Sequence, residues 1–185
     1  MLGSMATLTI ELPPQAARTR FNLQRWAELL ADPVLAEFEG RIETDRHGHI
    51  IMSPPPAPSH GSFQAEIVFQ LRTRLSHGRV LSECPISTAD GVKAAVVAWA
   101  SQERMDELGD RVCFPQAPEI CVEVLSPSNS GAEIQEKTAL YFDAGAREVW
   151  LCDLMGRMKF LAKDQITPLE GSKLCPGFPA VLQLA

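Results

Sequence analysis

Three apolar runs in the middle of this chain leave few folds open to it: "VKAAVVAWA" (92–100), "EICVEVL" (119–125) and "REVWLCDL" (147–154). Each is rich in strand-forming residues or bounded by turn residues, and "RVLSECPIS" (79–87) precedes them in the same style. Helices are expected between the strands. Ser59 offers an N-cap for one running to about Ser76, and the polar "SQERMDELGDR" reads as a loop with a short helix. Ser130 and Glu133 have capping-box spacing and open a helix over about 131–144, with Gly145 placed to end it. "RMKFLA" (157–162) is the expected hairpin partner of 147–154.

Ahead of the sheet, residues 20–39 give a helical pattern through Leu23, Trp26 and Leu30, broken near Pro33. "RIETDRHGHIIMS" (41–53) reads as a hairpin turning at His47-Gly48, and "PPPAP" (54–58) is a rigid connector. The expected fold class is α/β, an α+β mixed sheet flanked by helices. Residues 20–185 are expected to form a single domain behind an N-terminal extension, 1–19, whose first four residues are open to reading as a cloning scar ahead of Met5.

The charge balance narrows the function classes. A net charge of −6 argues against broad, charge-driven coating of nucleic acid, though not against a local basic groove. Hydrophobic content of 45% with 22% charged residues is ordinary for a soluble domain. The expected location is cytoplasmic, since no apolar run approaches the ~20 residues of a membrane span and no basic-then-apolar leader is seen. Cys84, Cys113, Cys121, Cys152 and Cys175 are odd in number and without a CxxC pair, so they are expected to be reduced core residues.

Against that background Glu123 stands out as one acid inside an apolar strand. Side chains alternate along a strand, so Glu119, Cys121, Glu123 and Leu125 share a face. Glu119 lies ~13 Å from Glu123 along it, too far to hold one ion together, and is expected to be solvated. An unpaired Glu123 would cost several kcal/mol or take up a proton, so it needs a cation, metal or side chain. Lys137 supplies a candidate, because it falls inside the apolar stripe Ile134, Thr138, Tyr141, Ala144 of the following helix. A structural ion pair and a functional one are equally compatible with these residues.

With "GHIIMSPPPAPSHG", "GVKAAVVAWASQERM", "PEICVEVLSPS" and "EKTALYFDAGAREVWLCD" on the page, the chain resembles the Uma family of restriction endonucleases, a branch of the PD-(D/E)XK nuclease superfamily, over residues 20–165. The resemblance implies a restriction-endonuclease-like core with an N-terminal helix and hairpin, and a metal-dependent DNA endonuclease hydrolysing phosphodiesters. It implies a divalent ion, magnesium or manganese, held by Glu123 and the backbone carbonyl of Val124. Lys137 matches the lysine of the motif, displaced from the position that Leu125 occupies. A homodimer is common among such nucleases, and no organic cofactor or membrane is implied.

One position departs from the family. A Pro-Asp dipeptide opens the family's strand where Ala95 and Val96 stand here, so a metal ligand is missing and metal binding is expected to be weakened. Either catalysis is lost or another acid substitutes. Glu66 at the edge of the Phe63–Ile67–Leu71–Leu75 face, Glu83 and Asp90 are the candidates; a solvated flank for Glu66 and plain turn chemistry for Asp90 are the simpler expectations. The alternative to an enzyme is a non-catalytic nuclease-fold module binding nucleic acid or protein. His60 matches a histidine of the family, and solvent exposure at the helix start is its expected state. Arg72, Arg74, His77 and Arg79 form a local basic cluster, expected to be a solvated face.

Overall fold

The computed structural model describes residues 14–163 and 165–184. Most of the N-terminal extension, residues 1–13, lies outside them. Helix α1 (Gln15–Leu30) begins earlier than the periodicity predicts, and ends ahead of Pro33, where Asp32 caps a short 3-10 turn through its contacts with Val34 and Leu35. The hairpin β1 (Arg41–Thr44) and β2 (Ile50–Ser53) is antiparallel, pairing Arg41 with Ser53 and Thr44 with Ile50.

Helix α2 (Pro58–Arg74) starts one residue before the predicted cap. Pro58 takes the first helical position, where its fixed φ suits the helix and its missing N–H is no loss, so Ala57 is the cap residue and Ser59 lies inside the helix. Ser59 as N-cap is therefore corrected.

The main sheet runs β3 (Arg79–Thr88), β4 (Gly91–Ala100), β5 (Ile120–Val124), β6 (Glu148–Cys152), β7 (Met158–Ala162), neighbours in that order. All pairs are antiparallel except β5–β6, whose parallel pairing requires the crossover that α4 (Gly131–Asp143) supplies. The short α3 (Gln102–Leu108) follows β4. Two apolar clusters sandwich the sheet. Phe63, Ile67 and Leu71 of α2 pack with Val97, Val122 and Trp150 on one side, and Tyr141 and Ala144 join Ala98, Cys121 and Val149 on the other. All five cysteines are free and buried, as core residues. No helix among the described residues is long and apolar enough to cross a membrane.

Two features of this frame create the site. Pairing of β4 with β5 is confined to Val97↔Val122, Ala98↔Cys121 and Trp99↔Ile120, so the sheet parts beyond Val97. The hairpin then docks across the gap. Gly91, at φ +80, permits the approach: a Cβ there would meet the carbonyl oxygens of Asp45 at 2.3 Å and Thr44 at 2.5 Å. Thr44 secures the join, its Oγ1 accepting from Val92 N and its carbonyl from the buried Lys93 Nζ.

Candidate active site

Backbone groups left over where β4 and β5 separate must find other partners. Ala94 N donates to Glu43 Oε1 at 2.8 Å, and Ala94 O accepts from Lys137 Nζ at 3.2 Å. Val96 O accepts from Gln64 Nε2 at 3.2 Å. Side chains from the hairpin, α2 and α4 thus complete the sheet at the point where it opens.

Lys137 Nζ is the hub. It lies 2.8 Å from Glu43 Oε1 and 3.3 Å from Glu123 Oε1, with all three side chains at most one-fifth exposed. Tyr141 Oη, one helical turn along α4, donates to Glu123 Oε1 at 2.7 Å. Arg41 approaches the other oxygen, Oε2, at 3.7 Å, and makes a forked contact with Glu83 at 2.9 and 3.0 Å. Gln64 also reaches Glu83 Oε1, at 3.2 Å.

Electrostatics keep these cations charged. Burial works against the Lys137 ammonium, but Glu123 and then Glu43 outweigh it and hold its pKa above the ordinary 10.5. Burial likewise opposes the Arg41 charge, and Glu123 and Glu83 overcome it. The Tyr141 phenol is pushed well up by burial and by the Glu123 charge, so it donates to that carboxylate as a neutral hydroxyl.

A cavity of about 790 Å³ opens over this cluster. Seven carboxylates line it against three cationic side chains, Arg41, Lys93 and Lys137. Such a cavity repels a polyanion unless a cation enters first. The donor set fits a hard divalent ion bound through few carboxylates and several waters. Both Glu43 contacts fall on Oε1, and Glu123 Oε2 has Arg41 as its loose neighbour. No cluster of three metal-ligating side chains occurs among the described residues.

The predicted residues divide clearly. Glu123 and Lys137 are brought together, and Val124 lies on the cavity wall. Val96 is fully buried in the apolar cluster with Phe63 and Ile67. Glu83 lines the cavity but is bound by Arg41 and Gln64, at a left-handed backbone position with φ +49. Asp90 is held by Lys93 at 3.0 Å and Arg46 at 2.9 Å, which lower its pKa against the opposing effect of burial. Glu66 lies two residues, ~200°, around α2 from Gln64 and is hydrogen-bonded by Gln70 at 2.5 Å. It does not join the others.

Two expectations need correction. Glu119 is buried, not solvated, accepting from Ser101 N at 3.0 Å and Ser101 Oγ at 2.6 Å at the start of α3. His60 is half-buried on the cavity wall, with Nδ1 shielded from solvent. An acid that the sequence reading did not single out, Glu43 from the hairpin, shares Lys137 with Glu123. Its signal was a strand only four residues long, with nothing to mark it as facing a site some eighty residues away.

A family model described as "Uma2: Putative restriction endonuclease" matches residues 26–167. Among solved structures, a putative nuclease belonging to DUF820 from Anabaena variabilis superposes with a TM-score of 0.62 at 23% identity, covering 75% of this chain and 79% of that one. At that identity the likeness carries the fold. No curated protein matches the chain.

Proposed function

Because the chain belongs to the Uma2 family, described as "Putative restriction endonuclease", we propose that it hydrolyses phosphodiester bonds of DNA, with a divalent cation held by Glu123 and Glu43. The observation that carries this reading is the Lys137 ammonium gathering both carboxylates where the sheet opens. Glu43 thereby takes the role of the acid that position 96 lacks. The cation, when bound, supplies an activated water and stabilises charge on the phosphate.

The chain's own residues do the rest. Tyr141 fixes the Glu123 carboxylate by donating to Oε1, which leaves Oε2 toward Arg41. Lys137 keeps its proton, so it acts as a fixed positive charge beside the reacting phosphate and not as a base. Arg41 is anchored by Glu83 and adds positive charge on the opposite side of Glu123.

The test is nicking of supercoiled plasmid by the wild-type chain in magnesium or manganese, stopped by chelation. Glu43→Gln is expected to slow it at least about tenfold, a loss typical even of an outer-shell partner in a metal site. Equal rates for wild type and Glu43→Gln would remove Glu43 from the reading. The second reading, a non-catalytic binding module, is favoured by the burial of Val96 at 0% exposure where the family carries its acid. It predicts DNA or protein binding with no nicking in either metal.

A further inference from the structure

The three cations lining the cavity differ in how many donors they leave free. The N–H groups of Lys137 meet Glu43, Glu123 and the Ala94 carbonyl, and the buried Lys93 meets Asp90 and the Thr44 carbonyl. Arg41 is the exception. A guanidinium carries about five N–H groups, and here only Nε and Nη2 are engaged, by Glu83 at 2.9 and 3.0 Å. Nη1 lies 3.7 Å from Glu123 Oε2, beyond hydrogen-bond reach, and has no other partner among the described residues. Nor does it belong with Trp26 Nε1, His60 Nδ1 and Arg104 Nη1, the unpartnered side-chain atoms that are shielded from solvent. An open guanidinium edge thus stands on the cavity wall beside the Glu123 carboxylate.

Glu83, which holds that edge in place, is itself strained. Among the described residues it is the one non-glycine with positive φ, +49, and it lies inside β3. Pairing with β4 passes from Ser82↔Val97 to Cys84↔Ala95 and omits Glu83. The alternation of β3 changes phase there, since Leu81 before it and Cys84 and Ile86 after it all pack on the α4 side of the sheet. Strain of this kind persists only where the surroundings impose it, and it concentrates at sites that bind or react. The result is a carboxylate forked onto Arg41, which fixes the guanidinium plane and leaves Nη1 free.

We infer that Arg41 is a substrate-contacting residue, donating from the Nη1 edge of its guanidinium to a non-bridging oxygen of the bound phosphodiester, with Glu83 as its positioning residue. This rests on the nuclease reading and deepens it. A phosphodiester presents only acceptors, and in this acid-rich cavity Nη1 offers it a donor and a charge together.

Anisotropy of a fluorescein-labelled DNA duplex in calcium, and plasmid nicking in manganese, test the inference. Arg41→Lys keeps the charge and loses the fork; it is expected to bind the duplex about tenfold to a hundredfold more weakly, the weight of one hydrogen bond to a charged group. Arg41→Met should also lower the salt dependence of binding by about one phosphate contact, which Arg41→Lys should retain. Glu83→Gln should weaken binding in the wild-type background and add nothing to Arg41→Lys, because it acts through the guanidinium. Wild-type affinity and salt dependence in Arg41→Met, or nicking by Arg41→Met at the wild-type rate, would overturn the contact and leave hydrolysis standing. Additive losses from Glu83→Gln and Arg41→Lys would overturn the positioning role. Duplex binding that depends on Arg41, in a wild-type chain that never nicks, would retain the contact and overturn the hydrolysis reading.

Discussion

Lys137→Met is expected to destabilise the chain by about 3–5 kcal/mol, the cost of breaking a buried pair by removing one partner. The methylene stem is preserved, so the change isolates the ammonium. Without it Glu43 Oε1 keeps only the Ala94 amide, Glu123 keeps Tyr141 and the looser Arg41, and the Ala94 carbonyl loses its donor. For a chain of this size the melting temperature should fall by about 6–20 °C. Because the folded-state pKa of Lys137 is raised, its contribution is fully present below pH 10.5 and lost as pH rises through the folded value. The gap between wild type and variant should therefore close only in strong alkali. Thermal melts across pH give the answer, and a deficit under 1 kcal/mol at pH 7 would mean that the carboxylates do not depend on Lys137.

The second large effect is expected from Val96→Asp. Position 96 is the first residue of β4 beyond the last β4–β5 pair, Val97↔Val122, and its side chain is buried with Phe63 and Ile67. A carboxylate in that dry position is unpaired in the metal-free chain and should cost several kcal/mol. Added manganese should return much of it: a ligand at one hundred times its dissociation constant stabilises by about 2.7 kcal/mol. The variant should bind manganese at least about tenfold more tightly than wild type by calorimetry. Ala95 is left unchanged, because proline there would interrupt its pairing with Cys84. A flat affinity, with the stability deficit untouched by metal, would show that position 96 does not face the ion.

How much of this could be read beforehand depends on the distance over which each residue signals. Glu123 betrayed itself because an acid in an apolar strand conflicts with its neighbours, and Lys137 because it interrupts an apolar helical stripe. Both conflicts are local. The mixed sheet and its crossover helix were legible for the same reason, since the strand runs and the Ser130–Glu133 capping box are short-range patterns. Glu43 carries no such conflict in "RIET", where alternation alone permits an exposed glutamate. Its role follows from docking of the hairpin on Gly91 and from the unpaired Ala94 amide, both tertiary facts. Tyr141 was visible on the stripe, but the direction of its hydroxyl was not. His60 illustrates the limit on the other side: the start of a helix is ordinarily wet, and only the arrival of Arg41, Glu83 and Glu123 around it encloses the ring.

The proposed divalent ion between Glu43 and Glu123 rests on membership in the Uma2 family, the acid-rich cavity and the lysine bridging two carboxylates. Calorimetric titration of manganese into the wild-type chain and into a Glu43→Gln/Glu123→Gln variant tests that idea most directly. One binding event in the wild type, absent from a variant that still folds, is the predicted result. Identical heats from the two proteins, or none from the wild type, would contradict it.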